Sequence, residues 1–247
     1  MKLEELYKKI VRELEKHADA ELASKKVAKA KYFGVDCKSY GIKRSEVAGL
    51  IEKFLENFKK LSLEERFELA KKFYASDFSE QVNFGDVILK LNLEETTPFH
   101  YNFLDEIGDY LSNWADTDWF CSEIAKPLLM KYPKETLNLL RKWNSSENLW
   151  KSRASVVTFT RKIGESGKFT DVALELCDNL IWDKEDYVRK GVGWALKDNM
   201  RGAKKRVLDY VKSLRRKGVS SVITLYAIRD LKGKEREEVL RIKPKKD

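Results

Sequence analysis

Proline, glycine, cysteine and histidine are all scarce in this chain, and each scarcity excludes something. Four prolines and twelve glycines in 247 residues are too few turn-formers for a protein of many short strands. Three cysteines, Cys37, Cys121 and Cys177, are odd in number and widely separated. They offer neither a disulfide framework nor zinc-ligand spacing, and read as reduced thiols. His17 and His100 are the only histidines, too few for a His-based metal site, and each is expected on a helix surface. The phosphate-loop pattern GxxxxGK[ST], the dinucleotide fingerprint GxGxxG, and HExxH and GxSxG are all missing, which removes the enzyme classes built on them. No apolar run approaches the ~20 residues of a membrane helix. The opening "MKLEELYKKIVRELEKH" mixes charge and apolar residues at helical spacing, as signal peptides do not. A soluble, cytoplasmic protein without cofactor or metal is expected, associated with the nucleoid if the cell is prokaryotic.

What the chain does have is charge, 36% of residues, beside an ordinary 43% of hydrophobic ones. Apolar residues recur every three or four positions nearly throughout, as in Val47, Leu50, Ile51, Phe54, Leu55 and Phe58, so each segment has one stripe to bury. Cap and first-turn signals punctuate the pattern: Ser62 with Glu65, Asp77 with Glu80, Thr97 before Pro98, and "YPKE" at 132–135. Roughly twelve helices result, most of 10–18 residues. An all-α protein of antiparallel helix pairs is expected, either a stacked α-solenoid or a compact bundle, since no fixed period marks a repeat. No linker-like stretch interrupts the sequence, so 1–247 reads as a single domain with a frayed tail from about 242. Lacking a long heptad seam, it reads as a monomer.

The net charge of +9 is unevenly placed: residues 1–140 hold 22 Lys/Arg against 25 Asp/Glu, and residues 141–247 hold 27 against 15. A basic block of this kind suits an anionic partner, nucleic acid before a membrane surface.

Three stretches carry chemistry. In "NWADTDWF", 113–120, Trp114 and Asp118 are one helical turn apart and share a face. Asp116 sits about 200° around the helix from Asp118, so the two cannot form the facing carboxylate pair of a conventional glycosidase. Asp116 is expected to be a solvated charge and Trp119 a packing residue. In "SSENLWKSRASVV", Trp150 and Arg153 share a face, and arginine can clamp phosphate bidentately. In "EDYVRKGVGWALKDNM", Trp194 has Arg189, Lys190 and Lys197 close by. Indole faces attract cations by about 0.5–2 kcal/mol, a carboxylate stabilises positive charge on a sugar, and basic side chains hold phosphates. The set fits a cationic base on a polyanionic strand.

At these residues the sequence resembles the AlkD-type DNA alkylation repair glycosylases over most of its length. The matching elements are a Tyr/Phe-Gly opening followed by "YGIKRSEV" (40–47), W-x-x-x-D at Trp114 and Asp118, N-x-W-x-x-R at Asn148, Trp150 and Arg153, and K-x-x-G-W-x-L at Lys190, Gly193, Trp194 and Leu196. The resemblance implies a HEAT-like helical-repeat solenoid with a concave basic groove. It implies excision of N3- or N7-alkylated purines from duplex DNA without base flipping. Asp118 would be the catalytic carboxylate, Trp114 and Trp194 would contact the lesion nucleotide, and Arg153, Lys151, Lys190 and Lys197 would hold the DNA backbone. Beyond Leu196 the sequence follows the family loosely. The competing expectations are a non-catalytic helical-repeat protein that recognises bent or branched DNA through Lys204, Lys205, Arg206, Arg215 and Arg216, and a protein-binding scaffold.

Overall fold

The periodic stripes form helices where the spacing places them. The computed structural model describes residues 2–244 and is all-α, a helical-repeat fold of sixteen α-helices among those residues. No strand occurs among the described residues beyond a single bridge between Lys38 and Phe78. Sixteen exceeds the twelve expected because several helices are too short to show a full stripe, such as Lys162–Glu165. The chain packs as two compact units, 1–116 and 117–247. Of the expected frayed tail, residues 242–244 carry no regular structure and the remainder lies outside the described residues.

The first unit holds α1 (Leu3–Lys16), α2 (Ala20–Tyr32), α3 (Arg44–Lys59), α4 (Leu63–Tyr74), α5 (Ser79–Asn92) and α6 (Tyr101–Gly108). Its core is built round Phe84 of α5. That ring lies 6.4 and 6.3 Å from Phe54 and Phe58 of α3, and 5.5 Å from Phe73 of α4. Ser62 and Glu65 form the expected capping box that starts α4. The Asp77/Glu80 pair does not cap. Phe78 occupies the N-cap of α5, and Glu80, 1% exposed, turns inward. There it accepts bonds from the Ser39 hydroxyl (2.6 Å), the Tyr40 backbone N–H (3.0 Å) and the Lys26 ammonium (3.1 Å). Tyr40 also stacks on Phe78 at 4.2 Å. The "YGIK" motif is thus a loop pinned to a buried carboxylate, and its role is architectural.

The second unit holds most of α7 (Trp114–Phe120), then α8 (Lys126–Lys131), α9 (Pro133–Asn144), α10 (Leu149–Val157), α11 (Lys162–Glu165), α12 (Thr170–Asn179), α13 (Asp186–Gly202), α14 (Lys204–Arg216), α15 (Ser221–Ala227) and α16 (Gly233–Arg241). A π turn, Cys121–Ala125, joins α7 to α8, with the Lys126 N–H bonded to the Cys121 carbonyl five residues back. Pro127 follows. Its ring cannot donate and crowds the carbonyl four residues earlier, so widening the turn accommodates it without ending the helix. α13 is the central helix of this unit and packs against α10 on one side and α15 on another. Gly191 and Gly193 permit this because they lie on opposite sides of the helix. A Cβ at 191 would meet the Arg153 Cγ and Val157 Cγ2 at 3.4 and 3.3 Å, and a Cβ at 193 would meet the Tyr226 Cβ at 2.7 Å.

Candidate nucleic-acid site

Local capping chemistry places the first functional side chains. The Asn113 side-chain oxygen Oδ1 accepts the backbone N–H groups of Ala115 and Asp116 at 2.9 and 3.0 Å, starting α7. Asn148 does the same for α10, accepting from Trp150 at 2.9 Å and Lys151 at 3.4 Å. The asparagine of the N-x-W-x-x-R run is therefore the cap that fixes where Arg153 emerges one turn later.

Arg153 and Asp118 then meet side on. Arg153 Nε donates to Asp118 Oδ1 and Nη2 to Oδ2, both at 3.0 Å. A third bond runs from Arg153 Nη1 to the Tyr187 carbonyl at the start of α13, at 2.6 Å. The arginine side chain is 6% exposed and the aspartate 17%. A bidentate pair this deep is held in one geometry, and the aspartate side chain is still partly exposed. Arg153 is thus committed to Asp118, which differs from the phosphate-clamping role expected of it. Trp150 packs on Tyr187 with ring centroids 5.1 Å apart, so both halves of the Trp150/Arg153 motif converge on the same residue.

Along α13, Tyr187, Lys190, Trp194 and Lys197 recur at helical spacing. Lys190 is exposed, 2.9 Å from Asp186, with its ammonium 5.4 Å from the Tyr187 ring centre. Trp194 is half-buried, and the guanidinium of Arg161 lies over its ring at 5.5 Å. Lys197 faces acids at 3.1 Å (Asp198) and 3.7 Å (Asp230). Lys151 is buried at 5% exposure with its ammonium over the Trp143 ring, a location that keeps it from a DNA strand. Of the four expected backbone cations, only Lys190 is exposed.

Trp114 and Asp116 belong to the first unit. The half-buried Trp114 donates its indole N–H to the Phe33 carbonyl at 2.9 Å, next to the exposed rings of Tyr32 and Phe33. Asp116 is not the solvated charge its helical phase suggested. It is half-buried, bonded at 2.6 Å by the Asn113 amide, and burial pushes its carboxyl above the ordinary range. A half-buried neighbour, Asp86, accepts the Tyr74 hydroxyl at 2.5 Å and is pushed up to about 7, chiefly by desolvation. His100, expected on a helix surface, is half-buried, stacked on Phe67 at 5.9 Å with its Nε2 3.8 Å from Glu64 Oε1.

Two residues at the site carried no sequence signal. Lys126 donates to the Thr160 hydroxyl at 3.1 Å, and burial, helped by the nearby Arg161 charge, lowers its ammonium pKa. Arg161 is a lone arginine in a loop, and only folding brings it over Trp194. Among the described residues no group of three His, Cys, Asp or Glu side chains is placed to hold a metal ion.

The fold and these residues define an all-α helical-repeat protein with an arginine-clamped aspartate and a cation-bearing indole in its second unit. The family model described as DNA alkylation repair enzyme matches residues 10–231, and the chain belongs to that family. Among solved structures it is similar to one described as "Predicted DNA alkylation repair enzyme from Enterococcus faecalis", with a TM-score of 0.71 and 15% identity over 87% of this chain and 97% of that one. At that identity the likeness is one of fold. No curated protein matches the chain. No helix among the described residues is long and apolar enough to cross a membrane.

Proposed function

We infer that the protein is a DNA glycosylase that removes positively charged N3- or N7-alkylated purines, such as 3-methyladenine and 7-methylguanine, from duplex DNA. The observation that carries this reading is the Asp118 carboxylate, fixed by two guanidinium bonds at 3.0 Å yet 17% exposed. An alkylated purine bears a formal positive charge and leaves as a neutral base, so breaking its N-glycosidic bond needs no general acid. The cation passes to the sugar. A carboxylate held in place beforehand stabilises that oxocarbenium-like centre, or orients the water that attacks it, without reorganising during the step. Arg153 reduces the net charge of the site, and in exchange it orients both oxygens. Trp194 contacts the lesion-bearing nucleotide through its indole face, and Trp114, one turn ahead of Asp118 in α7, offers a second indole to the DNA. Lys190 supplies a backbone contact. The lesion is read without being drawn into a pocket, and the protein acts as a monomer needing no cofactor.

Base release from methylated duplex tests this. Asp118→Asn is expected to lower the single-turnover rate by on the order of 10²–10³. Thermal unfolding must accompany the rate, because Asp118→Asn also strips the partner from a buried guanidinium. A correctly folded variant that releases base at the wild-type rate would remove Asp118 from catalysis. A second reading has an observation of its own: a bidentate pair joining α7 to α10 is also a structural clamp. In that reading the protein binds bent or branched DNA without chemistry, and wild type shows salt-sensitive binding with no base release.

A further inference from the structure

We propose that Arg161, parked on the Trp194 indole, is the arm that grips the DNA phosphate beside the lesion, the task for which Arg153 has no free edge. This rests on the glycosylase reading and assigns its phosphate contact to a residue outside the motifs. Arg161 is the one non-glycine residue with positive φ among the described residues, at φ 55° and ψ −136°. That region is sparsely populated by residues with a Cβ, and such strain persists only where the surroundings over-determine it. Here they do. The Arg161 backbone N–H donates to Asp198 Oδ2 at 2.6 Å, and its backbone carbonyl accepts the Glu165 N–H at 2.9 Å. Asp198 is 2% exposed and lies 3.1 Å from the Lys197 ammonium. On the preceding residue, the Thr160 hydroxyl is buried between the Val157 carbonyl (2.7 Å) and the Lys126 ammonium (3.1 Å).

The strained link has one evident result. It turns an exposed arginine back over α13, so that the guanidinium sits 5.5 Å from the Trp194 ring centre. Among the described residues that guanidinium pairs with no carboxylate, in contrast to Arg141 and Arg201, which are bonded to Glu175 and to Glu165 and Asp230. No hydrogen bond occupies the Arg161 guanidinium N–H groups among the described residues, and that N–H fork is the edge that matches a phosphate. The half-buried Lys126 ammonium adds a second positive charge beside it. Arg153, by comparison, has three of its bonds fixed to Asp118 and the Tyr187 carbonyl. The indole also serves two ligands of like charge, the guanidinium and the cationic base. A phosphate that draws the guanidinium towards the strand therefore opens ring surface to the lesion at the same moment.

The test is equilibrium binding of the full chain to a methylated duplex across a salt series, for wild type, Arg161→Ala, Arg161→Lys, Arg161→Gly and the exposed neighbour Lys162→Ala. Arg161→Ala should weaken binding roughly ten- to hundredfold at low salt. Its slope of log affinity against log salt should be shallower by about 0.9, the signature of one lost phosphate contact. Arg161→Lys should recover the slope with part of the affinity. Arg161→Gly, whose backbone is relaxed at this φ, should show the same loss as alanine, which separates binding from folding. A duplex with a neutral methylphosphonate at the contacted position should bring wild type and Arg161→Ala to equal affinity. If Arg161→Ala matches wild type in affinity and slope while wild type binds, the arm is overturned and the glycosylase reading stands. If wild type has no affinity for duplex DNA, that reading falls and the arm with it. An equal loss in Lys162→Ala would mean general charge, not a specific contact, and would also overturn the assignment.

Discussion

At the scale of single residues, helical phase and burial disagree most over acids. Asp116 lies two residues from Asp118 in one helix. Phase alone assigned it to solvent, but the polar side of a seven-residue helix in a packed chain need not face water. With Asp86 and Tyr74 it forms a desolvated group in the first unit. The folded pKa of Asp86, about 7, is raised above its unfolded value. Its contribution to stability is therefore complete below the unfolded pKa and is lost as pH rises through about 7. Urea unfolding between pH 4 and 8, roughly, should show wild-type stability falling by at most about 1.4 kcal/mol per pH unit from this group. Asp86→Asn should flatten that slope, and an unchanged profile would show that Asp86 does not titrate there. Arg161 gives a second residue-scale expectation. Replacing it with glycine relieves a positive φ, and the unfolding free energy should rise by about 1 kcal/mol even as DNA affinity falls. Loss of stability and affinity together would mean the side chain, and not the backbone, holds the loop.

At the scale of elements, α13 shows how sequence motifs mix architecture with chemistry. The K-x-x-G-W-x-L run contains the proposed lesion-contacting Trp194, but Gly193 is there for packing. Its missing Cβ would stand 2.7 Å from the Tyr226 Cβ and 3.0 Å from the Ile223 carbonyl, whereas at Gly191 the nearest atoms are side-chain carbons at 3.3–3.4 Å. Gly193→Ala should therefore cost about 1–3 kcal/mol of stability. Gly191→Ala should fall near neutral, because helix propensity returns up to about 1 kcal/mol against a smaller clash. Chemical denaturation of the two variants decides this, and equal losses would mean that α15 is not packed tightly on α13. The cap of α10 behaves in the same way. Asn148→Ala should cost about 1 kcal/mol and, by loosening the start of the helix that carries Arg153, should lower base release more than its modest stability loss accounts for.

At the scale of the whole molecule, the charge asymmetry was legible in the sequence and its availability was not. Residues 141–247 carry 27 cations against 15 acids, yet many of the cations already have partners. Lys204 pairs with Glu235 at 2.8 Å, Arg206 with Asp171, and Arg215 reaches the Leu240 and Ile242 carbonyls at 3.5 Å. Removing Lys204, Lys205, Arg206, Arg215 and Arg216 together should accordingly reduce the salt slope of DNA binding by less than the roughly 4.5 that five phosphate contacts would give. A reduction near that full value would favour the non-catalytic binding reading, in which these side chains carry recognition.

Local rules were enough for the helical class and for most of the helix starts. Stripes at three- and four-residue spacing, the Ser62/Glu65 box and the Pro133 start depend on neighbours within a turn, and the all-α class follows from them. The family motifs likewise singled out Asp118, Arg153 and Trp194 as candidates from the letters alone. What the letters could not assign was which groups each of those side chains meets. That Arg153 is held by Asp118, that Lys151 is buried under Trp143, that Glu80 anchors a loop where it had looked like a cap, and that Arg161 rests on Trp194 are all contacts between residues 30 or more positions apart, apart from the Lys151–Trp143 pair. Such contacts are fixed by how whole helices pack, and packing is decided by burial summed over many side chains. A periodic pattern says which face is buried, and only the tertiary structure says against what.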